Sequence, residues 1–397
     1  MVEALESCFE DMYYPRSVEE VRDIIGKVSQ DDCNIVPMGN GTKVGEYIGN
    51  HVQRTIGLSM KKLNKVLEIN QANLTITVEA GISLFELQKV LLQHNLWLPV
   101  VVQRAELRTI GGLIAENAKN YEKYSGKNIG DYVIGLEFVT PEGEMIRTGG
   151  RTVKNVAGYD FTHLLNGSIG TLAIITKVTF KLKPKAELRK TVLIAAADLS
   201  TGNDLLTIVK KMSLTTTSFH LFTITSDFDP AFFERAEAIG VISLEGVKAT
   251  VEDHISKIQE GVRQNGVVEK VLNSTDYWEN YSSQYSNIPQ KYKICGKVDK
   301  RHLPNFIDLT CESKKIFAGF FIDIGTGDIS MYCRDEEVFK DMHDRLEEFT
   351  TRYALPSWMV KKRSHPLYRL IKNSLDKKNC LFANNLVLSI NDSVTRK

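Results

Sequence analysis

Apolar residues recur at helical spacing in two segments of the first half of the chain, and both segments begin with a capping sequence. Ser17 precedes Glu20 by three residues, and Ser83 precedes Glu86 by the same spacing. A serine whose side chain accepts from the helix N-terminus, followed by a glutamate, predicts the start of a helix. The apolar positions behind the two caps are Val18, Val21, Ile24, Ile25 and Val28 in one helix and Leu87, Val90 and Leu91 in the other.

Elsewhere in the first half the apolar pattern predicts strands. Residues 74–78 alternate between Leu, Thr, Ile, Thr and Val, and residues 172–182 form a long apolar segment that ends before Pro184. Between residues 132 and 148, two apolar runs flank the turn sequence Pro-Glu-Gly-Glu at 141–144. This arrangement predicts a β-hairpin.

After residue 190, strand-like and helix-like segments alternate, and glycine becomes less frequent. Such alternation predicts an α+β domain of the ferredoxin-like type. We therefore predict two domains, at residues 10–187 and 188–397. The strand-like segments are 192–195, 219–224, 241–244 and 317–324, and the helix-like segments are 205–212, 251–262 and 338–353.

Composition and charge narrow the class of protein. With 50 Lys and Arg against 49 Asp and Glu, the 397-residue chain has a formal charge of +1, which argues against nucleic acid as a partner. No apolar run reaches the ~20 residues that span a bilayer, and the acidic N-terminus does not resemble a signal peptide. We expect a cytoplasmic location, with any membrane association made through partners. The six cysteines are dispersed and form no CxxC pair, so we expect buried, inert thiols rather than an iron–sulfur cluster.

Four glycine-containing segments point to a phosphorylated cofactor. In the first, Gly39 and Gly41 let backbone N–H groups converge on an anion, and Thr42 adds a hydroxyl donor; a tight turn between strands is the structural alternative. A dinucleotide fingerprint would place its third glycine where Val44 stands, so a Rossmann domain is excluded. No P-loop sequence occurs either. The four segments are residues 37–42, 109–118, 154–160 and 167–176.

Together, these segments resemble the FAD-binding domain of the vanillyl-alcohol oxidase/p-cresol methylhydroxylase superfamily. Residues 154–184 are most similar to the small FAD-binding subunits of three-subunit bacterial glycolate oxidases. The resemblance implies a two-subdomain FAD-binding domain of the p-cresol methylhydroxylase (PCMH) type, followed by an α+β cap domain. It also implies FAD held without a covalent bond, since the first loop has Asn40 and no histidine. The cofactor-binding residues implied by the family motif are Met38, Gly39, Asn40, Gly41, Thr42, Thr109, Gly111, Gly112, Gly126, Gly170 and Ile174.

The sequence leaves the catalytic role of the chain open between three hypotheses. Catalytic relatives place clustered histidines in the cap, whereas the eight histidines here are dispersed. We expect most of them to be surface or capping residues, and keep only His302 and His365 as cap-domain candidates; no catalytic residue and no metal ligand is assigned. The preferred hypothesis is an FAD subunit that relays electrons between a catalytic flavoprotein and an iron–sulfur subunit of a 2-hydroxyacid oxidase or dehydrogenase. The alternatives are a stand-alone FAD-dependent 2-hydroxyacid oxidoreductase and a non-redox assembly subunit.

A subunit of such a complex needs a docking surface, and its near-neutral charge favours an apolar one. Residues 277–292 are rich in Tyr, Ser, Asn and Gln and are the segment we expect at that surface. Aromatic residues of the second half are further candidates, although core packing is the more common fate of each. They are Trp278, Tyr281, Tyr285 and Trp358.

Overall fold

The protein is described from a computed structural model, in which the chain divides into two compact units. One comprises Met1–Asn120, Lys127–Lys185 and Lys362–Lys397, and the other Tyr121–Gly126 and Ala186–Lys361. Neither unit is continuous in sequence, and the expected domain limits of 10–187 and 188–397 stay a prediction. The structure describes residues 9–28, 33–44, 54–122, 127–150, 160–210, 212, 214, 216–223, 236, 238–263, 269–274, 277–278, 292–311, 317–353, 371, 374–376 and 381.

The first unit begins with a small parallel sheet covered by one helix. Its elements are β1 (Asp11–Tyr13), α1 (Val18–Val28), β2 (Asn34–Met38) and β3 (Thr55–Ser59). Strand β3 lies in the centre and runs parallel to both neighbours. The predicted cap of α1 is present, because the Glu20 N–H donates to Ser17 Oγ at 3.2 Å. The apolar stripe of α1 packs in one cluster with Ile35 of β2 and with Ile56 and Leu58 of β3.

A second, antiparallel sheet of the same unit has the strand order β4-β5-β9-β7-β8. The predicted hairpin is confirmed as β7 paired with β8, and the predicted cap of the second helix is confirmed by Ser83 Oγ, which accepts from the Glu86 N–H at 3.1 Å. The elements are β4 (Val66–Asn70), β5 (Thr75–Glu79), α2 (Leu84–Gln93), β6 (Leu96–Trp97), α3 (Ile110–Glu116), β7 (Val133–Val139), β8 (Met145–Gly149), α4 (Phe161–Leu165), β9 (Ile174–Lys181) and β10 (Lys183–Pro184).

One charged cluster crosses three strands of this sheet. Glu137 on β7 lies opposite both Arg147 on β8 and Lys177 on β9, and its carboxylate accepts from them at 2.6 and 2.8 Å. Burial favours the neutral acid, but the hydrogen bonds and charges of the two cations outweigh it and hold the pKa of Glu137 below its ordinary value of 4.5. The cluster therefore stabilises the sheet only while the carboxylate is ionised.

The second unit is built on one seven-stranded antiparallel sheet, with the order β14-β11-β13-β12-β16-β17-β15. Its first four strands and two helices follow the chain order βαββαβ and lie in the spatial order 4-1-3-2, which is the ferredoxin-like arrangement predicted for this half. The elements are β11 (Leu188–Ala196), α5 (Leu199–Lys210), β12 (Thr216–Thr223), β13 (Ala238–Gly246), α6 (Lys248–Arg263), β14 (Glu269–Asn273), β15 (Lys293–Lys297), α7 (Leu303–Cys311), β16 (Phe317–Asp323), β17 (Asp328–Cys333) and α8 (Glu336–Arg352).

One sequence expectation about a single residue of the second unit is wrong, and one docking candidate is buried. Cys295 is exposed, although Cys33 and Cys333 are buried as expected; burial raises the pKa of the Cys333 thiol to about 11. Trp278, a candidate for the docking surface, is only 6% exposed and packs within the unit. No helix in the described part of the chain is long and apolar enough to cross a membrane.

Candidate functional site

A groove in the first unit brings together the glycine segments that the sequence singled out. It consists of two adjoining cavities with volumes of about 380 and 500 Å³, open to solvent. Both are lined by residues at the end of β2 and around α3, so they form one continuous groove. The residues that line both cavities are Pro37, Met38, Gly39, Thr109, Gly112 and Ala115.

The loop after β2 forms one wall of the groove, and contacts on both sides hold its shape. The Asn40 side chain donates from Nδ2 to Leu107 O at 3.1 Å, and Ser59 Oγ donates to Gly39 O at 2.8 Å. Gly41 has φ +71°, a left-handed conformation that glycine adopts without the steric cost of a side chain. Asn40 therefore acts as a tether for the loop, which the sequence alone did not indicate.

Close approach explains the glycine at position 39. A Cβ added to Gly39 would lie 1.9 Å from Thr109 Oγ1 and 2.8 Å from Thr109 Cβ, far inside normal contact distance. The loop and the residue before α3 can therefore touch only because position 39 has no side chain. This contact joins the first two glycine segments into one wall.

Helix α3 is fixed to the sheet by its own glycine. The Gly111 N–H donates to Ala80 O at 2.8 Å, and a Cβ on Gly111 would lie 2.9 Å from Ala80 Cβ. Gly112, one residue further along, is exposed, and a Cβ there would lie 3.1 Å from Thr109 Oγ1. The missing side chain of Gly111 thus allows packing on the sheet, whereas that of Gly112 leaves the groove open.

The loop at residues 167–170 closes the groove from the side of β9. The Ile169 N–H donates to Ala115 O at 2.7 Å, which ties this loop to the end of α3. Gly170 has φ +73°, and a Cβ there would lie 2.8 Å from Pro37 Cγ. The fourth glycine segment therefore packs directly against the first.

One ion pair lies on the groove near the first loop. The guanidinium of Arg108, just before α3, pairs with the carboxylate of Glu116 at the last residue of α3, with the two side chains 12% and 24% exposed. Both residues line the larger cavity together with Lys43. Sequence reasoning missed this pair, although Arg108 directly precedes a predicted site residue.

Ten of the eleven predicted site residues line this groove. Gly126 lies outside the described residues, as do His365 and most of the third glycine segment; of that segment the structure describes only Asp160, which caps α4. The role of each lining residue in cofactor binding stays a prediction. The ten are Met38, Gly39, Asn40, Gly41, Thr42, Thr109, Gly111, Gly112, Gly170 and Ile174.

The second unit has a separate buried polar cluster around Glu122. Glu122 accepts from Trp278 Nε1 at 3.0 Å and pairs with Arg189, and burial raises the pKa of its carboxyl group. Beside it, His220 is 1% exposed and its Nε2 lies 2.7 Å from Tyr121 O. His220 is therefore an exception to the expectation that most of the histidines are surface or capping residues. His302, one of the two cap candidates, lies half-buried with its ring centroid 4.9 Å from that of Tyr353.

With the groove described, comparison with known proteins identifies the domain that contains it. Residues 12–149 match the family described as "FAD binding domain". This chain contains an FAD-binding domain. The resemblance to PCMH-type flavoproteins is thus confirmed, and the cofactor is FAD.

The curated relatives include several proteins named for 2-hydroxyacids. The chain is 34% identical over 253 residues to the glycolate oxidase subunit GlcD of Bacillus subtilis, a match that covers 62% of this chain and 53% of the relative. It is 35% identical over 170 residues to D-2-hydroxyglutarate dehydrogenase of Xanthomonas citri, covering 42% and 35%. It is also 36% identical over 173 residues to D-lactate dehydrogenase of Archaeoglobus fulgidus, covering 43% and 38%. The chain therefore spans about half, or less, of the relatives that it matches.

Solved structures extend the similarity of the fold to nearly the whole chain. Alkyldihydroxyacetonephosphate synthase gives a TM-score of 0.70 at 18% identity, covering 94% of this chain and 76% of that one. p-Cresol methylhydroxylase with bound substrate gives a TM-score of 0.66 at 15% identity, covering 94% and 87%. At such low identity these matches show the fold alone, and they confirm the predicted fold class.

The groove fits FAD on the evidence of its own lining. A flavin dinucleotide needs a wall of small residues beside its ring and converging N–H groups beside its pyrophosphate. Gly112 and Ala115 are small residues that line both cavities, and the loop from Gly39 to Thr42 lines the same groove, so the lining is compatible with both requirements. Bound FAD would supply a hydride and electron acceptor, and the residues that line the groove are the ones predicted to hold it.

Proposed function

We propose that this chain is the FAD-containing component of a 2-hydroxyacid oxidoreductase and that it holds FAD noncovalently in the groove between β2 and α3. The observation that carries the proposal is the convergence of three glycine segments on one groove inside an FAD-binding domain. The substrate class rests on the relatives: glycolate, D-lactate and D-2-hydroxyglutarate are all 2-hydroxycarboxylates. Noncovalent binding is supported by Asn40, which stands in the first loop where a histidine would be needed for attachment.

We further propose that the chain works as a subunit of a complex with a catalytic flavoprotein and an iron–sulfur protein. Two features support this role. One relative is itself named as a subunit of glycolate oxidase, and the six cysteines form no CxxC pair of the kind typical of cluster-binding subunits. Electrons that reach its FAD would therefore leave through a partner. The docking segment proposed at residues 277–292 is described only at Tyr277, Trp278 and Tyr292, and the first two are buried.

Anaerobic mixing tests the catalytic part of the proposal. The isolated chain, loaded with FAD, is mixed separately with glycolate, D-lactate, L-lactate and D-2-hydroxyglutarate while flavin absorbance is followed. We expect the flavin to stay oxidised in the isolated chain and to be reduced when the co-purified partner proteins are present. Rapid bleaching of the chain alone would favour the stand-alone oxidoreductase instead.

Co-purification tests the partner proteins themselves. The chain is expressed with its genomic neighbours, isolated by an affinity tag on this chain, and separated by size-exclusion chromatography. We expect a second flavoprotein and a protein with CxxC-type cluster motifs to elute with it in fixed ratio. A chain that always elutes alone, with full activity, would contradict the accessory role. A chain that binds no flavin would favour the third hypothesis, a non-redox assembly subunit.

A further inference from the structure

The ion pair between Arg108 and Glu116 is placed to control the charge of the groove. Both side chains are largely buried, and both line the same cavity as Gly39, Gly41 and Thr42. Lys43 is the third charged residue that lines this cavity. Two cations and one carboxylate therefore line this cavity: Lys43 follows the first loop, and Arg108 and Glu116 lie at the two ends of α3.

The carboxylate is the unexpected member of this set. A pyrophosphate carries negative charge, and a nearby carboxylate repels it more strongly where protein lowers the local dielectric constant. Glu116 is 24% exposed, so water screens it only in part. Its charge is tolerable beside an anion only if a cation stays between the two, and Arg108 is the cation that contacts it.

Arginine suits this position because its guanidinium has several N–H donors in one plane. One edge can bind a carboxylate while another donates to a phosphate oxygen. The main chain at Leu107, next to Arg108, is held by the Asn40 side chain, so this arginine is attached to the same loop that is proposed to cradle the pyrophosphate. Glu116 at the end of α3 then fixes the orientation of the guanidinium.

We propose that Arg108 is a positioning residue for the cofactor pyrophosphate and that Glu116 holds it in place at an electrostatic cost to binding. The inference rests on the proposed function, because it takes the groove as the FAD site. A purely structural ion pair, which only secures α3, is the competing explanation. The two explanations predict opposite effects for the removal of the Glu116 charge.

The test is titration of the apo-protein with FAD and, separately, with ADP, which has the pyrophosphate but no flavin. R108M should weaken the binding of both ligands by about tenfold or more, the loss expected for one charge-assisted hydrogen bond. R108K should recover part of that loss. E116Q should bind both ligands as tightly as the wild type or more tightly, and added salt should weaken R108M less than wild type.

Thermal stability of each variant is measured in parallel. If R108M does not fold, the double variant R108M/E116M replaces the ion pair with apolar groups. FAD and ADP should bind this double variant at least about tenfold more weakly than they bind the wild type. An E116Q variant that loses as much affinity as R108M would show a structural pair and overturn the inference, as would an R108M variant with wild-type affinity. A wild-type protein that binds ADP but not FAD would instead contradict the proposed function.

Discussion

Replacement of Gly39 by alanine tests how the first loop meets α3. The added Cβ would lie 1.9 Å from Thr109 Oγ1 and 2.8 Å from both Thr109 Cβ and Cγ2. Rotation of the threonine about χ1 cannot relieve all three contacts, because Cβ itself does not move. The loop must therefore shift by roughly 1 Å or more to restore normal contact distances, and overpacking of this kind costs about 1–3 kcal/mol.

The larger effect is expected on FAD. A shift of this size moves the N–H groups of the loop away from the pyrophosphate, and each hydrogen bond lost to a charged group costs about 1.5–3 kcal/mol. Loss of one such bond corresponds to an approximately ten- to hundredfold weaker Kd. The assay is fluorescence titration of the apo-protein with FAD, together with thermal unfolding of the apo-protein.

Gly26→Ala is the matched control. Gly26 lies inside α1, and among the described residues no atom outside the helix's own backbone lies within 4 Å of the position its Cβ would take. Alanine should therefore stabilise the helix by about 0.5–1 kcal/mol and leave FAD affinity unchanged. If Gly39→Ala bound FAD with wild-type affinity at wild-type stability, the assignment of this loop would be refuted.

Three further predictions concern buried charges and thiols. Glu137→Gln should lower the free energy of unfolding at pH 7 by about 1–3 kcal/mol. Because the pKa of Glu137 is held below 4.5, the stabilisation by its carboxylate is present above that pH and is lost as the pH falls below it. Melting curves of variant and wild type should therefore converge in acid, and a difference that stays constant with pH would contradict this reasoning. Arg189→Met should destabilise the protein by about 3 kcal/mol at pH 7, because Glu122 stays buried without its cation. Burial raises the pKa of Glu122, so the loss of stability should shrink as the pH falls towards 4.5 and the carboxyl group becomes neutral. A loss of stability that does not depend on pH would be inconsistent with this cause. Iodoacetamide at pH 8 should label exposed Cys295 and spare Cys333, whose buried thiol has a pKa of about 11; peptide mass spectrometry checks this, and equal labelling would refute it.

Local elements and the glycine segments were predictable because their signals lie close together in sequence. The caps at Ser17 and Ser83 need only a serine and the residues that follow it, and the hairpin of β7 and β8 needs only its turn. The glycine segments were recognised by residue type and order. The physical reason for Gly39, its contact with Thr109, depends on a fold that joins residues 70 positions apart.

Features that depend on long-range packing were not predictable. The pairing of Arg108 with Glu116 requires knowledge of how the turn residues before α3 meet the last turn of that helix. The burial of His220 requires the neighbouring strands and the packing of Tyr121, which joins the second unit although its sequence lies inside the FAD-binding domain match. Nothing in the sequence near Cys295 indicates that it is exposed. The residue lies on β15, and the position of this strand at one edge of the seven-stranded sheet is known only from the fold.

Acid release of the flavin tests the central claim most directly. The purified chain is precipitated with acid, and the flavin in supernatant and pellet is identified by chromatography and quantified against protein. We predict a yellow protein that releases an equimolar amount of FAD into the supernatant and leaves a colourless pellet. A yellow pellet would contradict noncovalent binding, and a colourless protein that takes up no FAD on titration would contradict the account as a whole.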